Sequence, residues 1–128
     1  MNILDENFPD DQSEALERKR IHVRQIGRDI GTVGMGDDDI IPMLHELDRP
    51  TFFTHDEDFC KRRLCHRAYC LVRLDVDPDL MAKYVRRVLR HPELNSKAKR
   101  MGCVIEARPS GLTLWRIQQR EKAHLEWQ

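Results

Sequence analysis

The chain has no run of 18 apolar residues, which removes a membrane-spanning helix from consideration. It has no charge excess: Lys plus Arg and Asp plus Glu each number 22, so the total points to no acidic partner, although local patches still steer ligands. The N-terminus, MNILDENFPDD, lacks the basic-then-apolar order of an export signal and turns acidic at once. A cytoplasmic location is therefore expected, with no membrane partner, and the four cysteines are expected to be reduced. There is no internal repeat and no low-complexity segment. The glycine-bearing stretch 27–36 matches neither a GxGxxG nor a Walker loop, so no phosphate cradle is assigned to it. No Ser or Cys stands beside a His in a nucleophile elbow, which leaves hydrolase triads without support.

What is present is one domain's worth of chain: 128 residues, 40% hydrophobic and 34% charged. Asn2–Leu4 reads as a first strand. Phe8–Arg20 reads as a helix opened by Pro9 and two aspartates and closed by Arg18, Lys19 and Arg20, in keeping with the helix dipole. Ile21–Ile26 alternates as a half-buried strand should. Asp37 suits the cap of a helix over about Asp38–Leu47, with Pro42 tolerated in its first turn. Thr51–Thr54 is a third strand. Asp58–Arg63 reads as a short basic helix, Tyr69–Leu74 as a fourth strand, and Pro78–Leu89 as an amphipathic helix. Cys103–Ala107 and Leu112–Ile117 form a hairpin turned at Arg108–Gly111, with Trp115 facing away from Leu112 and Leu114. Residues 118–128 read as a polar tail, helical or frayed, with Trp127 available to a partner.

Strands alternating with helices predict an α/β fold with a parallel sheet wound through right-handed crossovers. If the second strand flanks the first on one side and the third on the other, Asp5 and Asp56 face one another at the carboxyl ends of adjacent strands, where open α/β sheets bind ligands. Each acid also has a plainer explanation. Asp37, Asp56 and Asp58 are good helix caps, and Asp5 can bond its own loop. Taken together, Asp5, Asp56 and Asp58 with an acid from Asp37, Asp38 or Asp39 gather like charges that resist joint ionisation. Mg²⁺ or Mn²⁺ removes that cost, prefers oxygen ligands, and supports phosphodiester cleavage. Arg28, Lys61, Arg62 and Arg63 are then the candidates for holding substrate phosphates. Cys60, Cys65, His66 and Cys70 form C-x4-C-H-x4-C, a spacing too wide for a usual zinc site, and read as buried or incidental thiols.

Three segments, ILDENFP, GDDDII and TFFTHDEDF, resemble in order the small PIN-like domains of bacterial toxin–antitoxin loci. The resemblance covers roughly residues 1–59 and has no counterpart beyond Phe59. It implies a PIN-like three-layer α/β/α fold over 1–117 with a central, mainly parallel sheet and a C-terminal hairpin. It also implies a Mg²⁺- or Mn²⁺-dependent endoribonuclease whose partners are RNA, an antitoxin protein and a second copy in a homodimer. Carried over by residue, Asp5 matches the first-strand acid, Asp56 and Asp58 the acids of T-x-D-x-D, and Asp37 or Asp39 the helix-start acid. His55 inside the motif is a departure. Two other readings compete. One is a phospho-acceptor signalling domain using Asp5, Glu6 and Asp56, although a hydroxyl after strand four and a lysine after strand five are missing. The other is a catalytically inactive PIN-like module that binds a partner protein.

Overall fold

The computed structural model describes all 128 residues. In chain order the elements are β1 (Asn2–Leu4), α1 (Asp10–Arg18), β2 (Val23–Gln25), α2 (Asp37–Glu46), β3 (Thr51–Thr54), β4 (Cys70–Leu74), α3 (Met81–Arg90), α4 (Lys97–Arg100), β5 (Cys103–Arg108), β6 (Gly111–Arg116) and β7 (Ala123–Leu125). They form an α/β fold around one seven-stranded sheet in the order β2-β1-β3-β4-β5-β6-β7. The first five strands are parallel and the last two antiparallel. As anticipated, β1 lies between β2 and β3.

Neighbouring residues of the central strands face opposite sides, so each strand feeds two cores. Leu4, Phe53, Val72 and Ile105 pair in register across one face and pack under Leu16 of α1 and Tyr84, Val85 and Val88 of α3. Ile3, Phe52, Leu71 and Val104 cover the other face with Ile40 and Leu44 of α2 and with Phe59. Burial on both faces explains why TFF and CLV are continuous apolar runs rather than alternating ones. In α3 the buried positions are Met81, Tyr84, Val85 and Val88, the i, i+3, i+4, i+7 stripe of an amphipathic helix. Trp115 packs on the opposite face from Leu112 and Leu114, as its alternation predicts.

The expected uniform hand of the crossovers does not hold. The crossover through α2 and the one through α3 advance in the same direction across the sheet, yet α2 covers one face while α3 lies on the other, beside α1. Those two connections therefore have opposite hands, an arrangement rare among parallel strand pairs. The stretch between β3 and β4 explains how this is accommodated. It is not the expected helix over 58–63 but two 3₁₀ turns, Glu57–Phe59 and Arg62–Leu64, too short to cover a face. Their residues Phe59 and Leu64 join the α2 side, which leaves the whole α1 side of β4 for α3.

Two further expectations are corrected. Pro42 is the sixth residue of α2 rather than part of its first turn, so the helix forgoes the bond to the Asp38 carbonyl that its N–H would make. Residues 118–128 are not a loose tail. They supply β7, which pairs Leu112 with Leu125 and Leu114 with Ala123. Trp127 packs within the chain, 5.5 Å from the Tyr84 ring, and its indole N–H donates to the Arg108 carbonyl at 2.6 Å. No helix is long and apolar enough to cross a membrane.

Candidate metal centre

The site lies at the carboxyl ends of β1 and β3. Leu4 pairs with Phe53, so the next residues, Asp5 and Thr54, emerge side by side, and the Asp5 N–H donates to the Phe53 carbonyl at 3.0 Å. Thr54 is fully buried, and its hydroxyl makes two bonds. It donates to Asp5 Oδ2 at 2.6 Å and accepts from the Asp56 N–H at 3.0 Å. One buried oxygen thus ties the acid of the first strand to the backbone carrying the acid of the third. The other Asp5 oxygen accepts from the Glu6 N–H at 2.8 Å. Asp56 Oδ1 caps the following 3₁₀ turn by accepting from the Asp58 N–H at 2.9 Å, which fixes the spacing of that pair.

The third contribution comes from α2. Its cap is Gly36 with extended backbone, and Asp37 is the first helical residue, not the cap expected from the sequence. The preceding loop is held by Glu6, whose Oε1 accepts from the Gly34 N–H at 2.9 Å. Gly34 has φ +84°, a conformation that costs a side-chain-bearing residue but not glycine. The loop therefore delivers the start of α2 to the end of β1 through the residue after Asp5.

Carboxylate oxygens of Asp37, Asp56 and Asp58 lie within 4.8 Å of one another on the surface. Partial burial, then the charges of Asp56, Asp58, Asp38 and Asp5, raise the Asp37 pKa above the ordinary aspartate value. Oxygens bound to one Mg²⁺ sit about 2.1 Å from it and so span at most about 4.2 Å. The three carboxylates come close to that span, and a small rotation of these exposed side chains would close the remainder. All-oxygen donors, open to water, fit a small hard dication and not a thiolate-seeking one.

Two clefts adjoin the acidic cluster. One, of about 310 Å³, is lined by Asp5, Asn7, Phe8, His55, Asp56 and Met81. The other, of about 450 Å³, runs past Asp37, Asp38 and Asp58 to Lys61 and Arg63. Of the acids expected from the sequence, Asp37, Asp56 and Asp58 converge, Asp5 adjoins them through Thr54, and Asp39 stays in the first turn of α2 outside the triad. The four basic candidates divide. Lys61 approaches Asp58 at 3.9 Å and lines the second cleft with Arg63. Arg62 lies over the Trp115 ring at 5.8 Å, and Arg28 is paired with Asp29 at 2.8 Å and Glu17 at 3.2 Å. Neither lines a cleft beside the acids.

Three features escaped the sequence reading. The Thr54 bridge was visible only as the first letter of T-x-D, and Glu6 only as half of an acidic pair with Asp5, not as the anchor of the Gly34 loop. The third is a charge network at the ends of β4 and β5. Glu106, almost wholly buried, pairs with Arg73 at 3.0 Å and with Arg108, while Asp75 accepts from Arg108 at 3.0 Å. The Arg108 hydrogen bond holds the Asp75 pKa below its usual value. No sequence signal joins these residues, because β4 and β5 become neighbours only through pairing. The cysteines remain free thiols, and burial pushes Cys60 up to about 11. No cysteine belongs to a cluster able to hold a metal ion.

Comparison with family models, with curated proteins and with solved structures gives no match.

Proposed function

We propose that this chain is a metal-dependent endoribonuclease of PIN-like type. The observation that carries the reading is the convergence of Asp37, Asp56 and Asp58 from a helix start and a strand end, beside an Asp5 held in place by Thr54. Repelling carboxylates are costly without a cation, and the neighbouring charges add to the partial burial that raises the Asp37 pKa. Asp37, Asp56 and Asp58 would hold Mg²⁺ or Mn²⁺. Such an ion supplies an activated water and neutralises charge developing on the phosphate oxygens. The chain's own residues do the rest. Asp5, immobilised by two hydrogen bonds, orients water at the mouth of the first cleft. Lys61 and Arg63 receive the phosphate in the cleft past Asp37 and Asp58. The role of toxin, with an antitoxin partner and a homodimeric state, rests on the order of the three motifs alone.

The test is RNA cleavage with Mg²⁺ or Mn²⁺, abolished by chelator. Asp56→Asn keeps the carbonyl that caps the 3₁₀ turn, so the fold should survive. Loss of even an outer partner of a metal costs about 10–100-fold, so loss of a ligand should cost at least the upper end of that range. Cleavage that persists without metal, or in Asp56→Asn at the parent rate, overturns the reading.

The phospho-acceptor alternative gains from one observation, the 2-1-3-4-5 order of the parallel strands. It loses from another. Arg108, standing where a free cation is required, is occupied by Asp75 and Glu106. Uptake of a beryllofluoride-type mimic at Asp56 would favour it.

A further inference from the structure

We propose that the groove between α1 and α3 is a track for single-stranded RNA, running from the acidic site along the length of α3. The proposal rests on the nuclease reading for what lies at one end of the track. The groove, about 480 Å³, is lined by five cations, Lys19, Lys83, Arg86, Arg87 and Arg90, and by no Asp or Glu. None of the five takes part in an ion pair, although the chain carries as many acids as bases. Unpaired like charges facing one cavity repel, and a polyanion relieves that repulsion while releasing its own counterions.

Three observations select RNA over an acidic peptide. The first is continuity: Met81 lines the cleft of Asp5 and Asp56, and the next residue, Ala82, lines the groove. The Ala82 N–H donates to Gln12 Oε1 at 2.9 Å, so α1 and α3 are joined at that junction. The second is spacing. Lys83, Arg86, Arg87 and Arg90 stand at i, i+3, i+4 and i+7 and lay a file of charge along one side of α3, as a phosphate backbone requires. The third is a stacking platform. Arg87 lies over the half-buried Trp127 ring at 4.3 Å, and an aromatic ring with a guanidinium plane is the surface on which unpaired bases stack.

The test is binding of a fluorescein-labelled single-stranded oligoribonucleotide to the whole chain in chelator, where nothing is cut. Lys83→Gln with Arg90→Gln removes two exposed charges outside the acidic site. Each phosphate contact on a single strand contributes about 0.7 to the salt slope, so the double variant should lower that slope by about 1.4 and weaken binding roughly tenfold. Its melting temperature should not move. Arg20→Gln with Arg24→Gln removes the same charge from a separate cavity beside the edge strand β2 and should leave binding unchanged. Equal weakening by both pairs would reduce the effect to net charge and overturn the track. Displacement of the RNA by polyglutamate at matched charge would also overturn it, in favour of an acidic protein. If the groove variant binds and cleaves RNA as the parent does, the track fails and the nuclease stands. If the parent binds RNA through the groove yet cleaves nothing with Mg²⁺ or Mn²⁺, the nuclease fails and the track stands.

Discussion

Thr54→Val is the sharpest probe of the site, because valine matches threonine in shape and differs only in the hydroxyl. That hydroxyl is fully buried and makes one bond to a carboxylate and one to a backbone N–H. A hydrogen bond to a charged partner contributes about 1.5–3 kcal/mol and a neutral one about 0.5–1.5. Asp5 is only half-buried, so water reaches part of what valine abandons, and the lower ends apply. The sum is about 2 kcal/mol. For a domain of this size each kcal/mol moves Tm by about 3–5 °C, so a fall of about 6–10 °C is expected by circular dichroism. Cleavage should fall as well, since Asp5 and the Asp56 backbone lose their common anchor. Thr54→Ser is the control. It keeps both bonds and loses a methyl worth about 1 kcal/mol, so stability drops while metal-dependent cleavage is retained. If Thr54→Val melts and cleaves like the parent, the bridge between the two strand ends has no energetic content. The account of how Asp5 is positioned then fails.

Asp37→Asn tests the crowding of charge. A carboxyl whose folded pKa lies above its ordinary 3.8 makes the folded state the better proton binder between the two values, so stability falls as pH rises through that window. In chelator at neutral pH the Asn variant should therefore melt higher, by less than about 1 kcal/mol given solvent screening. The gap should close below pH 3, and added Mg²⁺ should reverse the ranking. A lower melting point for Asn at neutral pH would mean that the helix dipole favours this carboxylate more than its neighbours disfavour it. Trp127→Ala should cost roughly 2 kcal/mol, below the 3–5 of a fully buried aromatic, because the ring packs on Tyr84 and donates to Arg108. An unchanged denaturant midpoint would show that the Trp127 contacts with Tyr84 and Arg108 add nothing to stability.

Much of this protein is legible along the chain. The apolar run of Thr51–Thr54 and the alternation of Leu112–Trp115 report burial on two faces or one, and that pattern is local. An acid within four residues of a strand end is likewise local, so Asp5, Asp56 and Asp58 could be named without coordinates. The choice among Asp37, Asp38 and Asp39 could not. Consecutive helical residues point about 100° apart, and only the docking of α2 against the end of β3 decides which one meets Asp56. The same holds for Thr54, whose value lies in touching a strand 49 residues away. It holds too for Glu106, which gains Arg73 only when β4 and β5 pair. The polar composition of 118–128 conceals a strand because an edge strand paired through its backbone needs few apolar side chains. The side of the sheet taken by α3 depends on which face the short turns after β3 leave uncovered. Sequence periodicity states that a helix has an apolar stripe, whereas the fold alone states which surface that stripe will cover.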